Sequence, residues 1–348
     1  MFAVLSACAS AADYYGGADY TNGEDSAVAV NKSETAEGYA GAPESVTNQT
    51  PAEAKKPPVG GGVITPDEAQ DETECASGGG LVLTNSYDRL GNDCQRQIYR
   101  RIAEKSHSVS DLLSSYGDCY VMEPVDCGFD GVEKSDIKIA FNAFKTDNPG
   151  CFWISVDCII SESSFFGAKL NMLSLYSPEE LSEMEKKFAL KTAEITSQIP
   201  AAATAYEKEV FLHDRLIDIC DYDDNALRKT GDSLKYSDSY NAYGAIVNGA
   251  AVCQGYAEAY SCLLALAGVN NTVITGEDHV WNAVQLDSEW YNADVTWDDT
   301  TGSSRYLNMP DAKFSAEHTP SPLFSDLTEQ EILGSDTVPA RWFNFMKV

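Results

Sequence analysis

Histidine and positive charge are both scarce in this chain. Four histidines occur in 348 residues, and 24 lysines and arginines face 54 aspartates and glutamates, a formal charge of −30. A field of that sign repels phosphate backbones, which excludes nucleic acid as a partner. No apolar run is long enough to span a bilayer, and no internal repeat is present. Close Cys/His ligand pairs are missing, and Asp221 to Asp224 lack calcium-loop spacing, so neither a metal nor a cofactor is expected. What remains is a globular composition, 43% hydrophobic, long enough for one large domain or two ordinary ones.

The N-terminus carries Leu5-Ser6-Ala7-Cys8, which resembles the lipobox of bacterial lipoproteins, where the Cys is acylated. Residues 1–8 are therefore read as the remnant of a signal whose charged start is expected upstream of Met1. One acyl chain at Cys8 gives only weak anchoring. Residues 9–80 are acidic, rich in small residues and poor in branched aliphatics, and they contain Pro57-Pro58 followed by Gly60-Gly61-Gly62. Such a segment cannot bury enough apolar surface to offset its chain entropy and is expected to be a disordered tether. Ten cysteines are present. With Cys8 assigned to lipid and Cys253 to chemistry, eight remain, an even number that permits disulfides in an exported protein. Buried thiols are the other reading. Cys151 and Cys158 lie in a strand-like run, about 23 Å apart, and cannot bridge. Cys119 with Cys127, across a Pro-containing loop, is the expected local pair.

The folded part starts near Leu81 and divides into a lead-in of 81–200 and a catalytic region of 201–348. Leu90, Cys94, Ile98 and Ile102 have helical spacing, as does the stretch 136–144. Residues 151–160 and 169–175 read as strands. Ser177-Pro178-Glu179-Glu180 opens a long helix, with an N-cap, Pro in the first position and acids in the first turn. Thr204 with Glu207 forms a capping-box pattern for the next helix.

The chemistry concentrates after residue 240. Residues 249–268 read as a loop feeding an Ala/Leu-rich helix that stops at Gly268, with Cys253 in its first turn. There the unpaired N–H groups and the positive dipole end favour thiolate and lower the thiol from its usual value of about 8.5. A first-turn N–H can also hold an oxyanion. Residues 279–286 and 289–297 read as a hairpin closed by Asp287-Ser288. A two-residue turn pairs 286 with 289, which places Asp294 and Asp298 as diagonal neighbours of His279, about 7 Å away. A one-residue slip would put Asp294 on the opposite face. Cys253 then reads as nucleophile, His279 as base and Asp294 as its orienting acid, with Asp298 a geometric rival. Trp281 and Trp297 suit either a substrate groove or core packing. Tyr243, Asn248 and Gln254 stand near the thiol in sequence as oxyanion or substrate contacts. His213, beside Asp214 in mid-helix, and His318, in a Pro-flanked loop, are read as structural.

The order Cys, His, Asp, with Cys253-Gln254-Gly255-Tyr256-Ala257, His279-Val280-Trp281-Asn282 and Asp294-Val295-Thr296-Trp297-Asp298-Asp299, resembles the transglutaminase-like superfamily. More narrowly it is similar to extracytoplasmic members from Gram-positive bacteria. Tyr243-Gly244-Ala245, Asn248-Gly249 and Leu212-His213-Asp214 add to the resemblance, which covers roughly 204–320. It implies an α+β fold with a papain/transglutaminase-like core: a Cys-bearing helix packed on an antiparallel sheet carrying His and Asp, preceded by a smaller α/β lead-in. It also implies acyl transfer through a thioester. Hydrolysis of a surface protein or cell-wall peptide is the expected outcome, with amine cross-linking and a non-catalytic binding module as alternatives. The expected partners are a peptide or protein substrate and, through the lipid alone, the membrane.

Overall fold

The caps written into the sequence start the helices where expected, and two antiparallel sheets receive them. The computed structural model describes residues 18–19, 81–107, 114–116, 119–128, 131–163, 167–228, 238–276 and 279–319. Cys8, and the expected tether apart from two residues, lie outside these. The strands are β1 (Ala18–Asp19), β2 (Ser114–Tyr116), β3 (Cys119–Gly128), β4 (Ile154–Ser163), β5 (Gly167–Ser174), β6 (Asp221–Tyr222), β7 (Ala250–Ala251), β8 (Asn271–Thr275), β9 (Val280–Leu286) and β10 (Glu289–Ala293). The helices are α1 (Asp93–Ser106), α2 (Lys134–Asp147), α3 (Pro178–Thr196), α4 (Ala205–Ile219), α5 (Asp224–Arg228), α6 (Cys253–Leu266), α7 (Val295–Thr301) and α8 (Asp311–Phe314). The fold is α+β.

Ser177 and Thr204 each accept from the backbone N–H three residues on, while Glu180 and Glu207 reach back to the cap. The box at Thr204 was expected from the sequence, and at Ser177 the expected N-cap proves to be reciprocal as well. The first sheet has the order β1-β4-β5-β3-β2, antiparallel except where β1 runs parallel to β4. Ala18–Asp19 is thus strand, inside the segment expected to be disordered throughout. β3 overturns another expectation. Residues 119–127 form a strand rather than a loop, and Pro124 is accommodated where the register with β5 shifts between Val121 and Pro124, a bulge being the place where a strand tolerates Pro. Cys119 and Cys127 are consequently both reduced thiols. Eight strand residues separate them by about 26 Å. The strand expected over 151–160 begins instead at Ile154, with Cys151 in the turn before β4.

The second sheet, β10-β9-β8, is antiparallel. Glu289 pairs with Leu286 and Ala293 with Asn282, the register expected from a two-residue turn. Asp287 and Ser288 close it with φ of 49° and 70°, the left-handed pair of a type I′ turn. The returning strand is shorter than expected. It ends at Ala293, and Asp294 caps α7 instead of continuing to Trp297.

Helix α6 is buried on every side from Cys253 to Leu264, where a single apolar face was expected. An all-round apolar helix belongs in the middle of a core. Asn282 of β9 donates to Ala257 O at 2.9 Å, and Tyr260 OH of α6 donates to Glu209 O of α4 at 3.1 Å. Leu81 N donates to Ala265 O at 2.8 Å. One contiguous apolar core includes Ile98, Phe144 and Leu170 from the lead-in together with Leu212, Tyr256, Leu263 and Val284.

Candidate functional site

The N-cap of α6 is Val252, which offers no side-chain acceptor to the first turn. The leading N–H groups of the helix therefore lack a side-chain cap, and the positive end of the dipole sits at Cys253. Gly255 makes this arrangement possible. A Cβ there would meet Ser239 O at 2.5 Å and the Ala251 Cβ at 2.8 Å, so only glycine lets the start of the helix press against the 238–251 segment. Cys253 is 4% exposed and clusters with Ala257, Val273 and Val280. Val280, the residue after His279, is thus the part of β9 that packs on the helix start.

His279 precedes β9 and Asp294 follows β10, so the pair flanks the hairpin instead of lying within it. His279 Nε2 donates to Asp294 Oδ2 at 2.7 Å. The other carboxylate oxygen, Oδ1, accepts from Trp297 N at 3.1 Å as the cap of α7. Burial would raise the Asp294 carboxyl, but the charge of His279 and hydrogen bonds from His279 and His318 outweigh it and hold the group below its ordinary value. The side chains of His279 and Asp294 are 10% and 1% exposed.

Asp298 does not share this face. The turn into helix carries it away, and its Oδ2 pairs with His213 Nε2 at 3.1 Å while Oδ1 accepts from Tyr306 N at 2.9 Å. Burial opposes a charge on His213, yet its hydrogen bonds to Asp298 and Asp214 raise its proton affinity overall. This is the buried structural pair expected for His213, with Asp298 as the partner that the strand reading misplaced.

His318, read from the sequence as structural, has a contact with Asp294 that the sequence did not suggest. Its Nε2 lies 2.8 Å from Asp294 Oδ2, the oxygen that also receives His279. The side chain is 1% exposed and stacks on Phe314 with ring centroids 3.6 Å apart. Nothing local in the sequence ties it to Asp294; only the return of the segment 303–319 across the outer face of the hairpin does so. That return is fixed by an aromatic cluster of Trp281, Trp290, Tyr306 and Phe314.

The remaining predicted residues fall into two groups. Trp281 reaches the site: its ring lies 6.2 Å from His279 and 5.1 Å from His318, and its Nε1 donates to Asn292 Oδ1. Trp297 lies 5.3 Å from His279. Tyr243, by contrast, is packed against Phe152 and Phe188 in the core. Asn248 donates to Asp238 Oδ2 at 2.8 Å, and Gln254 Nε2 donates to Glu258 Oε1 one turn along α6 at 2.7 Å.

Among the described residues, one grouping could hold a metal ion: His279, Asp294 and His318, with ligand atoms all within 4.8 Å of one another. Ligands so far apart in sequence leave no spacing signal. The donor set nonetheless fits a hydrogen-bonded network better. A metal-bound histidine donates its other N–H to an acceptor, whereas His318 Nδ1 is buried with no partner.

No protein-family model matches the sequence, and no curated protein matches it. Among solved structures, the chain is similar to one described as a TGase, at 12% identity and a TM-score of 0.28, covering 41% of this chain and 44% of that one. It is similar to another from Parabacteroides distasonis, provisionally described as a protease, at 11% identity and a TM-score of 0.24, covering 36% and 28%. The chain spans less than half the length of either.

Proposed function

We propose that this chain is a transglutaminase-like cysteine acyltransferase that hydrolyses amide bonds through a thioester. The observation that carries the reading is the 2.7 Å bond from His279 Nε2 to the buried Asp294 carboxylate, with Val280, the next residue after His279, packed on Cys253. With Nε2 committed to the acid, Nδ1 is the ring nitrogen that exchanges the proton with the thiol. The thiol proton passes to His279, and the thiolate adds to the amide carbonyl. N–H groups at the start of α6 receive the oxyanion. The imidazolium protonates the leaving amine as the C–N bond breaks, which leaves the thioester. Water, deprotonated by His279, then releases the carboxylic acid and returns the proton to the thiol.

The same reading places the protein outside the cytoplasm, tethered by acylated Cys8, acting on a surface protein or cell-wall peptide. Cys151 is disulfide-bonded, which fits an oxidising compartment.

Alkylation by iodoacetamide across pH, compared with Cys253→Ala, tests the chemistry. Burial pushes the thiols of Cys127, Cys220 and Cys262 up to about 12, so they stay silent near neutrality. Fast labelling of Cys253 at pH 6 is expected. Labelling no faster than an ordinary thiol would sink the proposal. A glutamine peptide supplied with a fluorescent amine separates the outcomes, since incorporation of the amine would replace hydrolysis by cross-linking.

A further inference from the structure

We infer that His318 is a positioning residue of the thiol site: its N–H is the second donor on Asp294 Oδ2, fixing that carboxylate and sharing its charge with His279. The inference rests on the triad reading above and deepens it.

Both imidazoles converge on one oxygen, at 2.7 and 2.8 Å, and the other oxygen is tied to the backbone of α7. The carboxylate therefore has no rotational freedom left. The His318 ring is held as firmly. It stacks on Phe314, lies 4.2 Å from Trp297 and meets Trp281 edge-on. Its backbone N–H bonds Phe314 O. The next residue is packed just as closely: a Cβ at Gly276 would meet Thr319 O and Trp281 Cζ3, each at 2.8 Å.

The tautomer follows from burial. Nδ1 has no partner, and a bare lone pair against aromatic surface costs less than a stranded N–H. The proton thus belongs on Nε2, pointing at Asp294. The titratable groups facing His318 are Asp294, His279 and Glu317, with Tyr306 beyond, whose hydroxyl donates to Glu317. Burial first, and the charge of His279, lower the proton affinity of His318 against the pull of Asp294. His318 acts as a neutral donor, not as a second cation.

A neutral donor on the acid predicts a pH signature. Without it, buried Asp294 protonates more readily, so the acid limb of thiolate reactivity moves up. At neutral pH an unshared carboxylate holds the imidazolium proton longer, so the alkaline limb moves up as well. A charge-assisted hydrogen bond corresponds to a shift of about one pH unit. By analogy with outer partners of functional histidines, the optimal rate falls about 10- to 100-fold.

The test is alkylation of Cys253 by iodoacetate, whose negative charge makes the rate bell-shaped by requiring both thiolate and imidazolium. His318→Phe keeps a ring against Phe314 and removes the donor. Expected is a lowered bell with both limbs displaced upward. A bell that superimposes on wild type, or one merely scaled down with unmoved limbs, overturns the inference. A wild-type rate that climbs like an ordinary thiol, with no bell, instead removes the triad reading and this inference with it. If His318→Phe does not fold, nitrogen NMR of the wild-type histidines decides: His318 protonated on Nε2 at pH 7 supports the role, and protonation on Nδ1 overturns it.

Discussion

Asp294→Asn replaces one oxygen by NH2 in a side chain whose two oxygens both have work. The carboxylate accepts from His279 and His318 at Oδ2 and from Trp297 N at Oδ1. A carboxamide has one acceptor oxygen, so the variant cannot serve both sides. If the oxygen stays with Trp297, the NH2 confronts two N–H donors. His279 must then turn its proton to Nδ1, the nitrogen needed to take the thiol proton. If the oxygen turns to the histidines, α7 loses its cap, at a cost of about 1 kcal/mol. Because asparagine is itself a good cap, the first arrangement is expected. Stranded or re-tautomerised donors then cost about 1–3 kcal/mol of stability. Loss of the buried negative charge removes a charge-assisted bond from the imidazolium, about 1.5–3 kcal/mol, or roughly 10- to 150-fold in thiolate population. The wrong tautomer adds to that loss. The assay is the iodoacetamide rate at Cys253 at pH 6, beside urea unfolding. Expected are a rate at least about 10-fold lower and a modest loss of stability. Asp298→Asn is the control, since its acid faces His213: it should lose stability and lower the labelling rate far less than Asp294→Asn does. Normal labelling in Asp294→Asn, or loss of labelling in Asp298→Asn alone, would refute the assignment of roles.

Two further predictions concern stability. Glu209 is fully buried with Oε1 unpartnered, and burial pushes its carboxyl from 4.5 up to about 8, against weaker pulls from the Asn308 hydrogen bond and the charge of His213. A raised acid stabilises the fold only while protonated, so that contribution is complete below pH 4.5 and is lost as pH climbs through 8. The loss is on the order of a few kcal/mol. Glu209→Gln should flatten this slope and outlast wild type at pH 8 in urea unfolding; parallel stability curves would contradict the account. Ser288 sits exposed at φ 70° in the hairpin turn, so Ser288→Gly should add about 1 kcal/mol and leave Cys253 labelling unchanged. A destabilised Ser288→Gly protein would count against the turn assignment.

How much of this was legible depended on whether the signal was local. The N-cap at Ser177, the capping box at Thr204, the helix start at Cys253 and the two-residue turn at Asp287-Ser288 lie within a few residues, and each was readable. β3 was not, because Glu123, Pro124 and Asp126 break the alternation and the strand holds its place through bulges against β5. Asp294 was half readable. Val295, Thr296 and Trp297 favour strand by side-chain type, which masked an ordinary Asp N-cap four residues before Asp298. His318 was unreadable, being joined to Asp294 only through the tertiary return of the chain.

The strand-to-helix junction explains why the two competing acids are not interchangeable. Had the strand run on to Trp297, Asp294 and Asp298 would have flanked His279 on one face with comparable claims. As built, Asp294 is the cap, and capping fixes the side chain so that Oδ2 alone is left for the imidazoles. Helix α7 has only seven residues, too few to be stable by itself. What holds it are the acids that follow: Asp298 on His213 of α4 and Asp299 on the hydroxyl of Tyr256 of α6. Asp298 and Asp299 thus anchor the helix whose first turn carries Asp294. Through Tyr256 that anchor reaches the same helix that presents Cys253, so the acid and the thiol are positioned by one connected piece of structure.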